Sequence, residues 1–367
     1  MVSRIFNDPV AWVILAVMAV LAFVTALIFK DNLKKTNDDL NADGNLSMGT
    51  AALIGLEAAI LAPLGGLLAR AFISLLMGAA NDSAGAGVAV GWGFFLVPGI
   101  VGTIPFLTNS HPLLTDVESL LMFATVVGGM AGAVNGLWRI YDWEGLGWIS
   151  FPLDVTWALA GNTLGCLLHV INFAWGDHGD EPRPNAHRYA SGFRLQSGFA
   201  FTQGAVMSDL SDKPGADLYR HEMTHVWQDR AFGPMYTLTY LGWMAFWVVP
   251  SIIVGVPWVG LAGFKSGPKV WCYFNNPWEA WAYEVQGADR HNIRGVDADD
   301  KKLMWPGWLV ILLGILFYAA AIVLAGLTVK AAWIDQPAAP ATKQTQQPLK
   351  NTKPPAKPQP PPPKPKH

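Results

Sequence analysis

The chain has 367 residues, 52% of them hydrophobic and only 14% charged, with 17 Trp and a formal net charge of −2. Soluble domains average about a quarter charged residues, and Trp gathers at bilayer interfaces, so the composition argues against a purely soluble protein. The near-neutral charge and the lack of a basic patch argue against a nucleic-acid partner. Cys166 and Cys272 lie far apart without a CxxC, which allows one disulfide and leaves the redox compartment open.

Val10 to Phe29 is the first strongly apolar run. At about 20 residues it suits one crossing of a ~30 Å hydrocarbon layer at ~1.5 Å per residue. It is too long for the core of a signal peptide and lacks a clear small-x-small cleavage site, so it reads as a retained anchor. Lys30 to Ser47 is polar and reads as an exposed loop. Further candidate spans are Ala51–Met77, Val88–Leu107 and Leu120–Leu137. Gly128, Gly132 and Gly136 recur every fourth residue. Such a stripe lets helices approach closely in lipid, within the chain or in a homo-oligomer, although Gly is also simply common in membrane helices. Glu57 and Arg70 sit inside the first of these spans, where a charge costs a few kcal/mol unless it is paired, and an ion pair across a hairpin is the expected arrangement. Trp148 to Phe173 is apolar yet carries Asp154, Asn162 and His169. It either spans or lies half-buried beneath the next domain, with His169 as a packing residue.

Charge returns between Trp175 and Gly233, and Phe199, Phe201 and Gln203 alternate with Ala200 and Thr202, so Phe193–Ser208 is expected to form strands. Pro214-Gly215 breaks the chain. A helix is predicted from about Ala216, with Asp217 in its first turn and Gly233-Pro234 as its stop. Met235–Gly263 is apolar, Phe264–Trp305 is mixed, and Trp308–Val329 is another span. Asp335–His367 is rich in Pro, Lys and Gln, which predicts a disordered tail of polyproline II character that a partner could bind.

The predicted helix carries His221-Glu222-Met223-Thr224-His225. Histidines four apart project from one helix face about one turn apart, where a single tetrahedral Zn²⁺ can take both nitrogens at ~2.0–2.1 Å. Glu222, beside the first ligand, is placed to activate a water at the open position and to pass its proton to a leaving amine. The pattern requires these residue types, at this spacing, on a helix.

His221 to Gln228 (HEMTHVWQ) is similar to the active-site helix of minigluzincin-type zinc metallopeptidases, and Phe199–Val206 resembles the strand that precedes it there. The resemblance covers about 35 residues and a short later segment. It implies a cleft edged by that strand, to which a polypeptide substrate pairs by main-chain hydrogen bonds. It also implies a third ligand from a downstream helix, in a Glu-x-x-Ala/Ser-Asp-like pattern. Asn276 to Glu284 supplies the match, with Glu279 as ligand and Ala282 in place. Tyr283 stands where the family often has Asp, and Glu284 is the competing carboxylate. His291 or Tyr283 could stabilise an oxyanion, although a structural role suits each better.

Glu279 follows His225 by 54 positions, with the 29-residue run Met235–Gly263 between them. A single crossing there would put the ligands on opposite sides of the bilayer, and a full out-and-back pair needs about 40 residues. A re-entrant or interfacial hairpin bent near Pro250 and Gly255-Val256-Pro257 is therefore predicted. The expected fold is a mainly α membrane protein with multiple transmembrane helices and a small α+β zincin-like domain. Its parts are an anchor and polar loop (1–47), a Gly-rich membrane region (48–174), a metallopeptidase domain (175–305) with its hydrophobic segment at 235–263, a last transmembrane helix (306–330) and the tail (331–367). Five crossings before Trp175 and an inside N-terminus would turn the site outwards, in a bacterial inner (plasma) membrane. The expected function is a zinc-dependent endopeptidase of membrane or envelope polypeptides. A non-catalytic scaffold with oligomerising Gly-rich helices and a structural metal is the competing reading, and a transporter using Glu57 and Arg70 is a third.

Overall fold

The computed structural model describes residues 2–33, 46–108, 110, 114–178, 183–194, 199–293 and 295–333. The expected tail, from 334 on, and most of the polar loop after the first span lie outside the described residues. The described residues are mainly helical, and five helical stretches among them are long and apolar enough to cross a membrane.

A short helix, α1 (Val2–Phe6), precedes α2 (Pro9–Ile28), which starts where the Asp8 carboxylate accepts hydrogen bonds from the Val10 and Ala11 amides and Pro9 occupies the first turn. Helix α3 (Met48–Ala79) is capped by Ser47. Instead of one span over Val88–Leu107, the chain forms α4 (Ala84–Val90), a π-helical turn at Gly91–Phe95, and α5 (Val97–Leu107). The break falls at Leu96 (φ 53°), ahead of Pro98, and Gly91 and Gly99 let the two short legs fold onto each other. Helix α6 (Val117–Leu137) then packs against α2 and α3.

The glycine stripe makes this bundle. A Cβ on Gly128 or Gly132 would lie within 2.5 Å of a carbonyl oxygen of α3, Gly65 or Leu61 respectively. The small-residue face is therefore filled from within the chain. Glu57 and Arg70 each find an ion pair with another part of the chain, as the expected pairing across a hairpin requires. Arg70, buried in α3, reaches Asp8 (2.8 Å) and the Arg4 carbonyl, whereas Glu57 accepts from Trp143 and faces Arg139 and Arg183. Ten or more residues of helix separate the two, so each finds the charge nearest its own level.

The ambiguous stretch divides into α7 (Gly147–Asp154) and α8 (Leu159–Trp175), and α8 lies against the sheet. Here His169 is buried, with Nδ1 at 2.8 Å from the Tyr189 hydroxyl, as a packing residue should be. Strands β1 (Asp177–His178), β2 (His187–Ser191), β3 (Phe201–Gln203) and β4 (Val206–Ser208) form a sheet of order β1-β2-β4-β3. The stretch expected to form strands contains a β3–β4 hairpin turned at Gly204 (φ +55°), whose added Cβ would meet the Gly161 carbonyl and the Asn162 backbone. β3 is an edge strand. Cys166 and Cys272 are both buried and free, so the permitted disulfide is absent.

Helix α9 (Asp217–Phe232) runs between the predicted start and stop. Its end is tied to the bundle by Arg230, buried and doubly bonded to Asp154 (2.7 and 2.8 Å), with Tyr141 donating to the same carboxylate. The hairpin that follows differs from expectation. Helix α10 (Pro234–Val259) continues through Pro250 and Pro257, and the chain reverses only at Gly260 (φ 66°, ψ −151°), a conformation essentially restricted to glycine. It returns through α11 (Gly263–Pro268) and a π-helical turn at Lys269–Phe274, with Gly263 against Gly255 and Gly267 against Ser251. The apolar helical stretch is therefore Pro234–Phe274, 41 residues, rather than the 29 of the single run. Helix α12 (Pro277–Gln286), capped by Asn276, then starts beside the root of α10, where the Trp278 indole donates to Thr239. α13 (Ala298–Leu303) and the long apolar α14 (Gly307–Trp333) complete the described residues.

Candidate metal centre

His221 and His225 share the buried face of α9, and the α10–α11 hairpin returns the chain so that α12 lays Glu279 against them. The Nε2 atoms of the two histidines are 3.2 Å apart, Glu279 Oε2 is 3.2 Å from His221 Nε2, and Glu279 Oε1 is 3.3 Å from His225 Nε2. A tetrahedral ion with bonds of ~2.0–2.1 Å holds its ligands about 3.3–3.4 Å apart. The triangle thus has the size that one such ion requires, and this buried group could hold a metal ion. Glu284, the competing carboxylate, is exposed on another face of α12.

The donor atoms are oriented from behind. His225 Nδ1 is 2.8 Å from Gln228 Oε1, and His221 Nδ1 is 3.1 Å from Gln286 Oε1. An amide oxygen only accepts, so each imidazole carries its proton on Nδ1 and turns the Nε2 lone pair into the triangle. Gln228 is itself fixed by donating to the Trp278 carbonyl, and Tyr240 donates to Glu279 Oε1 at 2.6 Å. Tyr283 stands where the resembled pattern often has Asp, a residue that could have accepted a hydrogen bond from a histidine. Tyr283 instead lays its ring against His221 (4.4 Å between centroids), and Gln286, one turn further on, takes over the hydrogen bond. Gln228 and Gln286 lie three and seven residues beyond His225 and Glu279, a helical spacing that could have flagged them. Tyr240 carried no such signal, because only the hairpin brings it to the site. His291 turns onto Asp289 in the loop after α12 and takes no part.

The electrostatics of the metal-free triangle run the same way. Burial opposes a charge on His225, yet the Glu279 carboxylate outweighs it and pushes the imidazole up to about 9. Burial likewise opposes ionisation of Glu279, but His225 and His221 hold its carboxyl well below the usual range. A carboxylate at this depth attracts a cation, here a proton on His225.

Glu222 is also buried and takes a 2.5 Å hydrogen bond from the Thr202 hydroxyl of β3, which leaves its other oxygen uncommitted. With His225 and Glu279 it lines one end of a cavity of about 1110 Å³, while α8, β3, α10 and the Lys269–Phe274 turn supply the other walls. The four residues singled out in sequence therefore converge on one buried centre that opens to a large cavity. No family model, curated protein or solved structure matches the chain.

Proposed function

We propose that the protein is a zinc-dependent endopeptidase of the gluzincin type, held in a membrane and acting on polypeptides of that membrane or the envelope. The observation that carries the reading is the His221–His225–Glu279 triangle, sized for one ion, with Glu222 beside it on the cavity side. A zinc ion there would polarise a scissile carbonyl and lower the pKa of a coordinated water to ~7. Glu222 is placed to take the proton of the attacking water and deliver it to the leaving amine, and Thr202 holds the carboxylate in one orientation for both transfers. Edge strand β3 offers main-chain groups along the cavity for an extended substrate.

A structural site closes its fourth position with protein, and among the described residues no fourth His, Cys, Asp or Glu joins the triangle. That favours the enzyme over the scaffold. Among the described residues three candidate crossings, α2, α3 and α6, precede the sheet in place of the five expected; from an inside N-terminus this odd number would likewise turn the site outwards. The test is a comparison of purified wild type with Glu222→Gln on an unfolded protein substrate. Equal zinc in both, with hydrolysis lost by roughly a hundredfold or more in the variant, is the expected outcome. Equal hydrolysis in both would remove Glu222 from the mechanism.

A further inference from the structure

The cavity is far more apolar than hydrolysis requires. Pockets for drug-sized ligands run to roughly 300–1,000 Å³, and this space is slightly larger. On one side α8 presents Leu164, Leu168 and Ile171, spaced four and three; on the other α10 presents Leu241, Met244 and Val248, spaced three and four. Each set forms one helix face. Two helices thus turn apolar stripes towards each other across the space that ends at Glu222, His225 and Glu279. The mouth is apolar as well: Leu167, Leu241 and Val248 line the cavity while remaining 57%, 47% and 42% exposed. Helix α10 belongs to a stretch long and apolar enough to enter a bilayer, and with that stretch in lipid a mouth between α8 and α10 would face hydrocarbon.

We propose that this cavity receives an extended, apolar segment of a membrane-embedded polypeptide, entering sideways from the lipid between α8 and α10. An unwound segment in that setting must pair its amide and carbonyl groups, since lipid offers them nothing. The edge of β3, unpaired among the described residues, supplies the partners, as Phe201, Thr202 and Gln203 all line the cavity. Apolar side chains then fill the α8 and α10 stripes, and the backbone runs past Glu222. The proposal rests on the peptidase reading for its chemistry, although docking of the segment is measurable without it.

The experiment uses the full chain carrying Glu222→Gln in liposomes, with a photo-crosslinking residue at position 167, 241 or 53. Leu53 is 68% exposed on α3 and serves as a lipid-facing control. The probes are a Leu-rich peptide of about 20 residues, long enough to enter the bilayer, and a Ser/Asn-rich one of equal length. Crosslinking of the Leu-rich peptide from 167 and 241, but not from 53, is expected. Equal yield at all three positions, no yield, or equal capture of the polar peptide overturns the proposal. In a Glu222-intact chain, Leu241→Asn with Met244→Asn should lower the preference for cleaving the apolar peptide by about tenfold or more, since apolar pockets discriminate on that scale. Position-specific crosslinking without any cleavage by the wild type would uphold the docking and end the peptidase reading. Zinc-dependent cleavage with no apolar preference would do the reverse.

Discussion

Gln228 and Gln286 decide what His221 and His225 can offer. By accepting from Nδ1 they commit both Nε2 lone pairs to the side where Glu279 lies. Replacing either with Leu should weaken metal binding about 10- to 100-fold, as loss of such outer contacts does elsewhere. A competition titration with a zinc indicator measures it, and unchanged affinity would show that the imidazoles orient themselves. The triangle also has a pH signature when metal-free. His225 has a raised folded value, so its contribution to stability is whole below the ordinary 6.5 and is lost as pH rises through about 9. Glu279 is shifted the opposite way, so its contribution is whole above the ordinary 4.5 and is lost progressively as pH falls below it. The Tm of chelator-treated protein should therefore fall between pH 6.5 and about 9, whereas the zinc-loaded protein should lack this step. The same fall in both would contradict metal occupancy of the triangle.

Elements whose ends are written in local chemistry were readable in the sequence. Pro214-Gly215 and Gly233-Pro234 bound α9 within a residue or two. Elements whose shape depends on partners were not. Pro250 and Pro257 advertise a bend, yet α10 runs through both, because a proline costs a helix only local hydrogen bonds that its surroundings can replace. Gly260 gives no special signal among 37 glycines, but its positive φ makes the turn. A Cβ there meets nothing within 4 Å, so Gly260→Ala tests backbone strain alone. A loss of roughly 1–3 kcal/mol is expected in reversible unfolding in detergent. No change would mean that the hairpin turns without needing glycine. Val88–Leu107 misled for the related reason that an apolar run of spanning length can fold back on itself where small residues permit.

Across the whole molecule, the sequence conveyed the membrane character and three of the four centre residues with little ambiguity, since His221, Glu222 and His225 share one helix. Glu279 had a competitor in Glu284, because the choice depends on how a distant helix docks. The structure brings Glu279, not Glu284, to the histidines: 41 residues leave the root of α10 and come back to it, so α9 and α12 meet. Burying two imidazoles and a carboxylate in mutual contact is costly without a cation to share. Zinc-edge X-ray absorption of the purified full-length protein, with metal content determined on the same sample, examines that sharing. One ion per chain is expected, bound by two imidazole nitrogens and a carboxylate oxygen at ~2.0–2.2 Å, and lost in Glu279→Ala. A metal-free wild type, or an identical spectrum in Glu279→Ala, would contradict it.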